Sequence, residues 1–141
     1  MSWAQGEQDR RLHGVVRIGT VTEVDSGAAR ARVSLGGDAV SGWIPFTAMR
    51  AGTLNAWSPV SVGEQVVVAS PGGDTTQGVI IGSLPSGSNA APSSDGGEFR
   101  FEIGGSSISM TADGIELSSN GSTLTMNAGG IALNGARIDL N

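Results

Sequence analysis

The chain has 141 residues, 13 acidic against 8 basic side chains for a net charge of −5, and no cysteine. The missing cysteines exclude a disulfide framework and a thiolate metal site, and the acidic balance disfavours general binding to a phosphate backbone. No apolar run is long enough to cross a bilayer as a helix and the N-terminus lacks the apolar stretch of a signal peptide, which points to synthesis in the cytoplasm.

In chain order, "SWAQGEQDRRLHG" comes first. It puts Trp3, Arg10 and Arg11 in an N-terminal arm, residues 1–11, outside the first domain. His13 is expected to begin the first strand. "GVVRIGTVTEVD" is rich in β-branched residues and alternates in polarity, the mark of a half-buried strand. "ARARVSLG", "SGWIPFTA", "EQVVVASP" and "TQGVIIGSL" follow, separated by the turn sequences Asp25-Ser26-Gly27, Gly36-Gly37-Asp38 and Pro71-Gly72-Gly73-Asp74. Five short strands with no helical period fit a small closed barrel such as an OB-fold over residues 12–84, with a small sandwich as the alternative. The stretch from Met49 to Val62 is the long connection.

Residues 85–97, "PSGSNAAPSSDGG", have almost nothing to bury and read as a linker. The second segment, residues 98–141, opens on the alternating "EFRFEIG" and then repeats: "ISMTADGIEL" (108–117) aligns with "LTMNAGGIAL" (124–133) at an offset of sixteen. A fixed period of this kind signals a β-solenoid or related repeat. Its apolar positions, Ile108, Met110, Ile115, Leu117, Leu124, Met126, Ile131, Leu133, Ile138 and Leu140, with Phe99, Phe101 and Ile103 before them, are too few to offset the ordering of a lone ribbon of this length. Three copies around one axis would bury those residues as a trimer core and pair the strand edges between chains. Asp113-Gly114, Asn120-Gly121 and Asn134-Gly135 are also hairpin signals, so a monomeric antiparallel meander stands as the alternative.

No residue pattern predicts catalysis or a cofactor. His13 has no acid or thiol constellation beside it. Glu23 and Asp25 share a strand face by period two but mark no cleft, so a solvated face accounts for them. "SPGGDTTQG" lacks the lysine and following helix of a phosphate loop and reads as a turn. Trp43, Phe46 and Trp57 would serve as base-stacking platforms if the barrel bound single strands, a reading that the negative charge and the absence of lysine oppose.

"GTVTEVDSGAARARVSLGG", "SGWIPF", "SVGEQVVVASPGGDTTQGVIIGSL" and "GGEFRFEIGGSSISMTADG" together resemble the phage baseplate assembly protein V family, the central tail spikes of contractile-tailed phages, related to the spikes of R-type pyocins and type VI secretion. The resemblance runs from about Leu12 to the end. It implies an all-β homotrimer, an N-terminal OB-fold barrel followed by an intertwined β-helix or β-prism spike. It implies a non-enzymatic part of the virion's tail baseplate that pierces the host outer membrane when the sheath contracts. A baseplate hub protein would sit above the OB-fold, with Trp3, Arg10 and Arg11 as the docking residues. Several family members end in a His-x-His tip that binds iron. This chain's single histidine is His13, so no such iron site is expected, and the tip around Asp139 and Asn141 becomes a platform for a PAAR-like cap. The repeat is brief, implying a short spike, and the linker leaves no room for the lysozyme domain that some large relatives carry. Nucleic acid is not among the expected partners. A trimeric adhesin or glycan-binding tail tip is the alternative function, and an OB-fold nucleic-acid binder a further one.

Overall fold

The computed structural model describes residues 2–141, which fall into two compact units, the first ending at Ala90 and the second spanning Ala91–Asn141. The chain is mostly β with one short helix.

The first unit opens with that helix, α1 (Trp3–Gly14). Ser2 caps it: its hydroxyl accepts a hydrogen bond from the Gln5 backbone N–H at 3.2 Å, and the Gln5 side-chain oxygen accepts from the Ser2 N–H at 3.3 Å. This reciprocal capping box satisfies two donors that a helix start leaves bare. Arg11 and His13 in the last turn complement the helix dipole. The helix therefore occupies the stretch expected to be an extended arm, and it corrects the placement of His13, which lies in α1 while the first strand begins at Val16. Val15 then ends the helix, its N–H bonded to the Leu12 carbonyl.

Five strands follow: β1 (Val16–Asp25), β2 (Arg30–Ser34), β3 (Ile44–Pro45), β4 (Gln65–Ala69) and β5 (Val79–Leu84). They form one antiparallel sheet in the order β3-β2-β1-β4-β5. The two ends of that sheet meet. Phe46, just past β3, forms a parallel bridge to Ile80 of β5, and the Thr47 N–H donates to the Ile80 carbonyl at 3.1 Å. A bulge between Val21 and Glu23 supplies part of the bend that such closure requires. The result is an OB-like curled sheet rather than two facing sheets. Inside it lie Val21, Ala31, Val33, Ile44, Val66, Val68 and Ile80, none more than 2 % exposed. Buried Ser41 is satisfied within this core. Its hydroxyl accepts from the Val33 N–H at 2.9 Å and donates to the Gly42 carbonyl at 2.8 Å. The "SPGGDTTQG" stretch is a pair of short 3-10 turns, Pro71–Gly73 and Thr75–Gln77, joining β4 to β5.

The second unit is a separate five-stranded sheet: β6 (Phe99–Ile103), β7 (Ser106–Thr111), β8 (Gly114–Ser119), β9 (Ser122–Asn127) and β10 (Gly130–Asn134). Each strand pairs antiparallel with the next in sequence. Within one chain this is the meander, not a β-helix. The reason is local: every connection between these strands is two residues long, too short for a parallel crossover. Asn120 and Gly121, at φ +50° and +94°, take the left-handed backbone of a tight hairpin turn. The sixteen-residue offset is thereby explained as two strands of about six residues and two turns of two.

Candidate functional site

The registers of the second sheet line its apolar residues into two uninterrupted cross-strand rows. One row runs Phe99, Met110, Ile115, Met126, Ile131; the other runs Phe101, Ile108, Leu117, Leu124, Leu133. Because side chains alternate between faces along each strand, both rows lie on the same face. The structure thus brings together eight of the ten expected trimer-core residues and adds Phe99 and Phe101, whose rings meet edge to face with centroids 5.0 Å apart. Ile138 and Leu140 lie beyond β10 and outside the sheet. Nothing in the chain covers these rows: even Leu117, in the central strand, is 43 % exposed, and Ile131 is 68 % exposed.

The reverse face is polar. Its rows are Arg100, Ser109, Glu116, Thr125, Ala132 and Glu102, Ser107, Ser118, Thr123, Asn134. Arg100 sits between two acids, 2.8 Å from Glu102 and 3.5 Å from Glu98. The Glu98 carboxylate also accepts from the Ser109 hydroxyl at 2.5 Å. That bond, then one from Ser93, then Arg100, hold Glu98 below its ordinary pKa, and the bond to Glu102 holds Arg100 above its own. A sheet with one dry and one wet face must pack the dry one against something.

The remaining candidates do not assemble into a site. On α1, Arg10 and Arg11 both reach Glu7, one and two residues beyond the first helical turn from it, and their charge lowers the Glu7 pKa, with the Arg10 bond the largest cause. Trp3 stands 84 % exposed on the same helix. Asp139 pairs with Arg137 at 2.9 Å, and neither it nor Asn141 is gathered with other groups. Glu23 faces Arg32 at 3.3 Å, while Asp25 accepts from the Ala28 N–H within its turn, so the two acids form no pair. Asp74 accepts from the Thr76 hydroxyl and N–H, which hold its pKa down and fix the turn between β4 and β5. Trp57 packs against Phe46 with ring centroids 5.9 Å apart. Among the described residues no three His, Cys, Asp or Glu side chains are grouped to hold a metal, and no helix is long and apolar enough to cross a membrane.

The barrel and the adjoining apolar ribbon define the class. Residues 17–84 match the family described as the Type VI secretion system/phage-baseplate injector OB domain, a match that runs from within β1 to the last residue of β5. Through this domain the chain belongs to the phage baseplate assembly protein V family. Over 121 residues it is 32 % identical to the spike protein of Escherichia phage P2, a match covering 80 % of this chain and 57 % of that protein. The chain therefore spans little more than half the length of this relative.

Proposed function

We propose that the chain is the central spike of a contractile tail baseplate and works as a homotrimer without enzymatic activity or cofactor. The carrying observation is the pair of five-residue apolar rows left open on one sheet face. Two copies facing each other would cover the rows but leave β6 and β10 as bare edges. Three sheets set around an axis cover the rows and bring the β6 edge of each copy to the β10 edge of the next, so that no edge stays free. Whether the strands remain three separate meanders or intertwine, the core is dry and the backbone is paired throughout.

Such a body resists bending and shear, because each displacement breaks several backbone bonds at once. Its role is mechanical: sheath contraction drives it against the host outer membrane. Trp3, Arg10 and Arg11 on α1 offer the hub a surface on the barrel, and a PAAR-like cap would seat near Asp139 and Asn141. The site of action is the virion's tail baseplate. The likeness to a phage spike protein and the injector OB domain supports this reading. Light scattering on the purified full chain tests it: a mass of three chains is expected, and a single-chain mass at micromolar concentration overturns it.

A further inference from the structure

The barrel also carries an apolar face on its outside. Its interior takes Val66 and Val68 from β4 and Ile80 from β5, so the alternate residues point outward. The registers set these outward residues in three rows across β1, β4 and β5. They are Val16–Ala69–Val79, then Ile18–Val67–Gly82, then Thr20–Gln65–Leu84. None of the nine positions is charged. The bulge opposite Val67 and Val68 adds Ile81. Val16, Ile18 and Ile81 are each more than half exposed, and a side chain added at Gly82 would meet nothing. A water-facing sheet surface alternates to polar outside, and monomeric proteins seldom leave contiguous aliphatic surface of this kind open.

We infer that this outer β1–β4–β5 face is a second contact between copies of the chain, one that turns the three barrels toward a shared axis. The inference rests on the trimer proposed above. Three features select a second copy as the occupant. The face is a pleated sheet without a groove, which suits another such sheet and offers no cleft to a peptide or helix. It holds no charge to recognise a charged partner, whereas the neighbouring β1–β2 surface carries the Glu23–Arg32 pair. Finally, the side chains are only half exposed, too little surface to hold free monomers together. Once the C-terminal sheets assemble, however, the barrels are tethered at an effective concentration of about millimolar, where a weak apolar contact closes.

The chain has no cysteine, so a single introduced thiol reports on this face alone. Full-length I18C and, as a control, D38C in the exposed Gly36-Gly37-Asp38 turn are treated with a short bis-maleimide at about 10 µM chain. Tethered apposition predicts cross-linking of I18C about 100-fold faster than D38C, with a rate unchanged on about tenfold dilution. Equal rates, or an I18C rate that falls with dilution, in a preparation of three-chain mass would overturn this contact and leave the spike trimer standing. An I18C thiol shielded from a mono-maleimide yet never cross-linked would also overturn it, in favour of a cover from the same chain. A single-chain mass overturns both readings together.

Discussion

The two sheets of this chain have five strands each and solve the burial problem in opposite ways. The N-terminal sheet curls until β3 and β5 meet, so that one chain encloses seven nearly inaccessible side chains. The C-terminal sheet stays open, and its apolar rows keep more than two fifths of the accessible surface of Leu117, Ile108 and Met126. The difference originates in the connections. β2 to β3 and β3 to β4 are joined by long loops that allow the barrel to close, whereas two-residue turns hold β6 to β10 in a flat succession of hairpins. A barrel is thus complete by itself, and the ribbon is complete only in company.

A single buried charge separates the two cases most sharply. Val33→Asp puts a carboxylate into a closed core and is expected to unfold the barrel outright, a cost on the order of 4 kcal/mol or more. Ile115→Asp places its charge on the open face, where a lone chain tolerates it in water but a threefold axis would gather three. The expected result is a folded barrel by near-ultraviolet circular dichroism and at least a 100-fold loss of trimer by light scattering. A trimer surviving Ile115→Asp would mean that the rows are not the shared core.

A weaker perturbation probes how α1 is fixed to the barrel. Gly73 lies in the turn after β4 at φ +75°, and a Cβ there would come within 2.5 Å of the Arg11 carbonyl oxygen. Gly14 approaches the same turn from the helix side, with its own Cβ position 3.1 Å from the Gly73 Cα. Gly73→Ala therefore combines a left-handed backbone with a steric clash, a penalty of about 2 kcal/mol. Its outcome is release of α1, seen as faster hydrogen exchange over residues 3–14 with the trimer mass unchanged. Unaltered exchange would show that the helix is held by other contacts.

Much of this architecture is legible in the sequence. The five barrel strands and the five ribbon strands stand in the order of their apolar alternation, and eight expected core residues fall on one face because strand period and turn length are both regular. The helix was hidden: α1 has no apolar stripe, and its one signal is the capping box from Ser2 to Gln5. His13 was misplaced for the same reason. The open β1–β4–β5 face was hidden differently. "VVVA" and "VII" are continuous apolar runs, which a strand reading assigns to the core without asking which face each residue takes. Barrel closure likewise depends on the distant Phe46–Ile80 bridge, which no local pattern encodes.

The smallest difference between the units is electrostatic. On the polar face of the ribbon, Glu98 is held below its ordinary pKa by the Ser109 hydroxyl first, then by Ser93 and Arg100. A carboxylate depressed in the folded state stabilises it above the unfolded-state pKa, about 4.3 for glutamate, and that contribution drains away as pH falls through the lower folded value. The ribbon should accordingly lose protection from exchange between about pH 4.5 and 3. Ser109→Ala removes the leading hydrogen bond while leaving both apolar rows untouched. It should flatten that pH dependence and change neutral-pH stability by less than about 1 kcal/mol, since the site faces solvent and the remaining ion pair is screened. Equal acid sensitivity in Ser109→Ala and the parent chain, measured by exchange over residues 98–111, would assign the loss to a different carboxylate on this face, with Glu102 and Glu116 the nearest in the same rows.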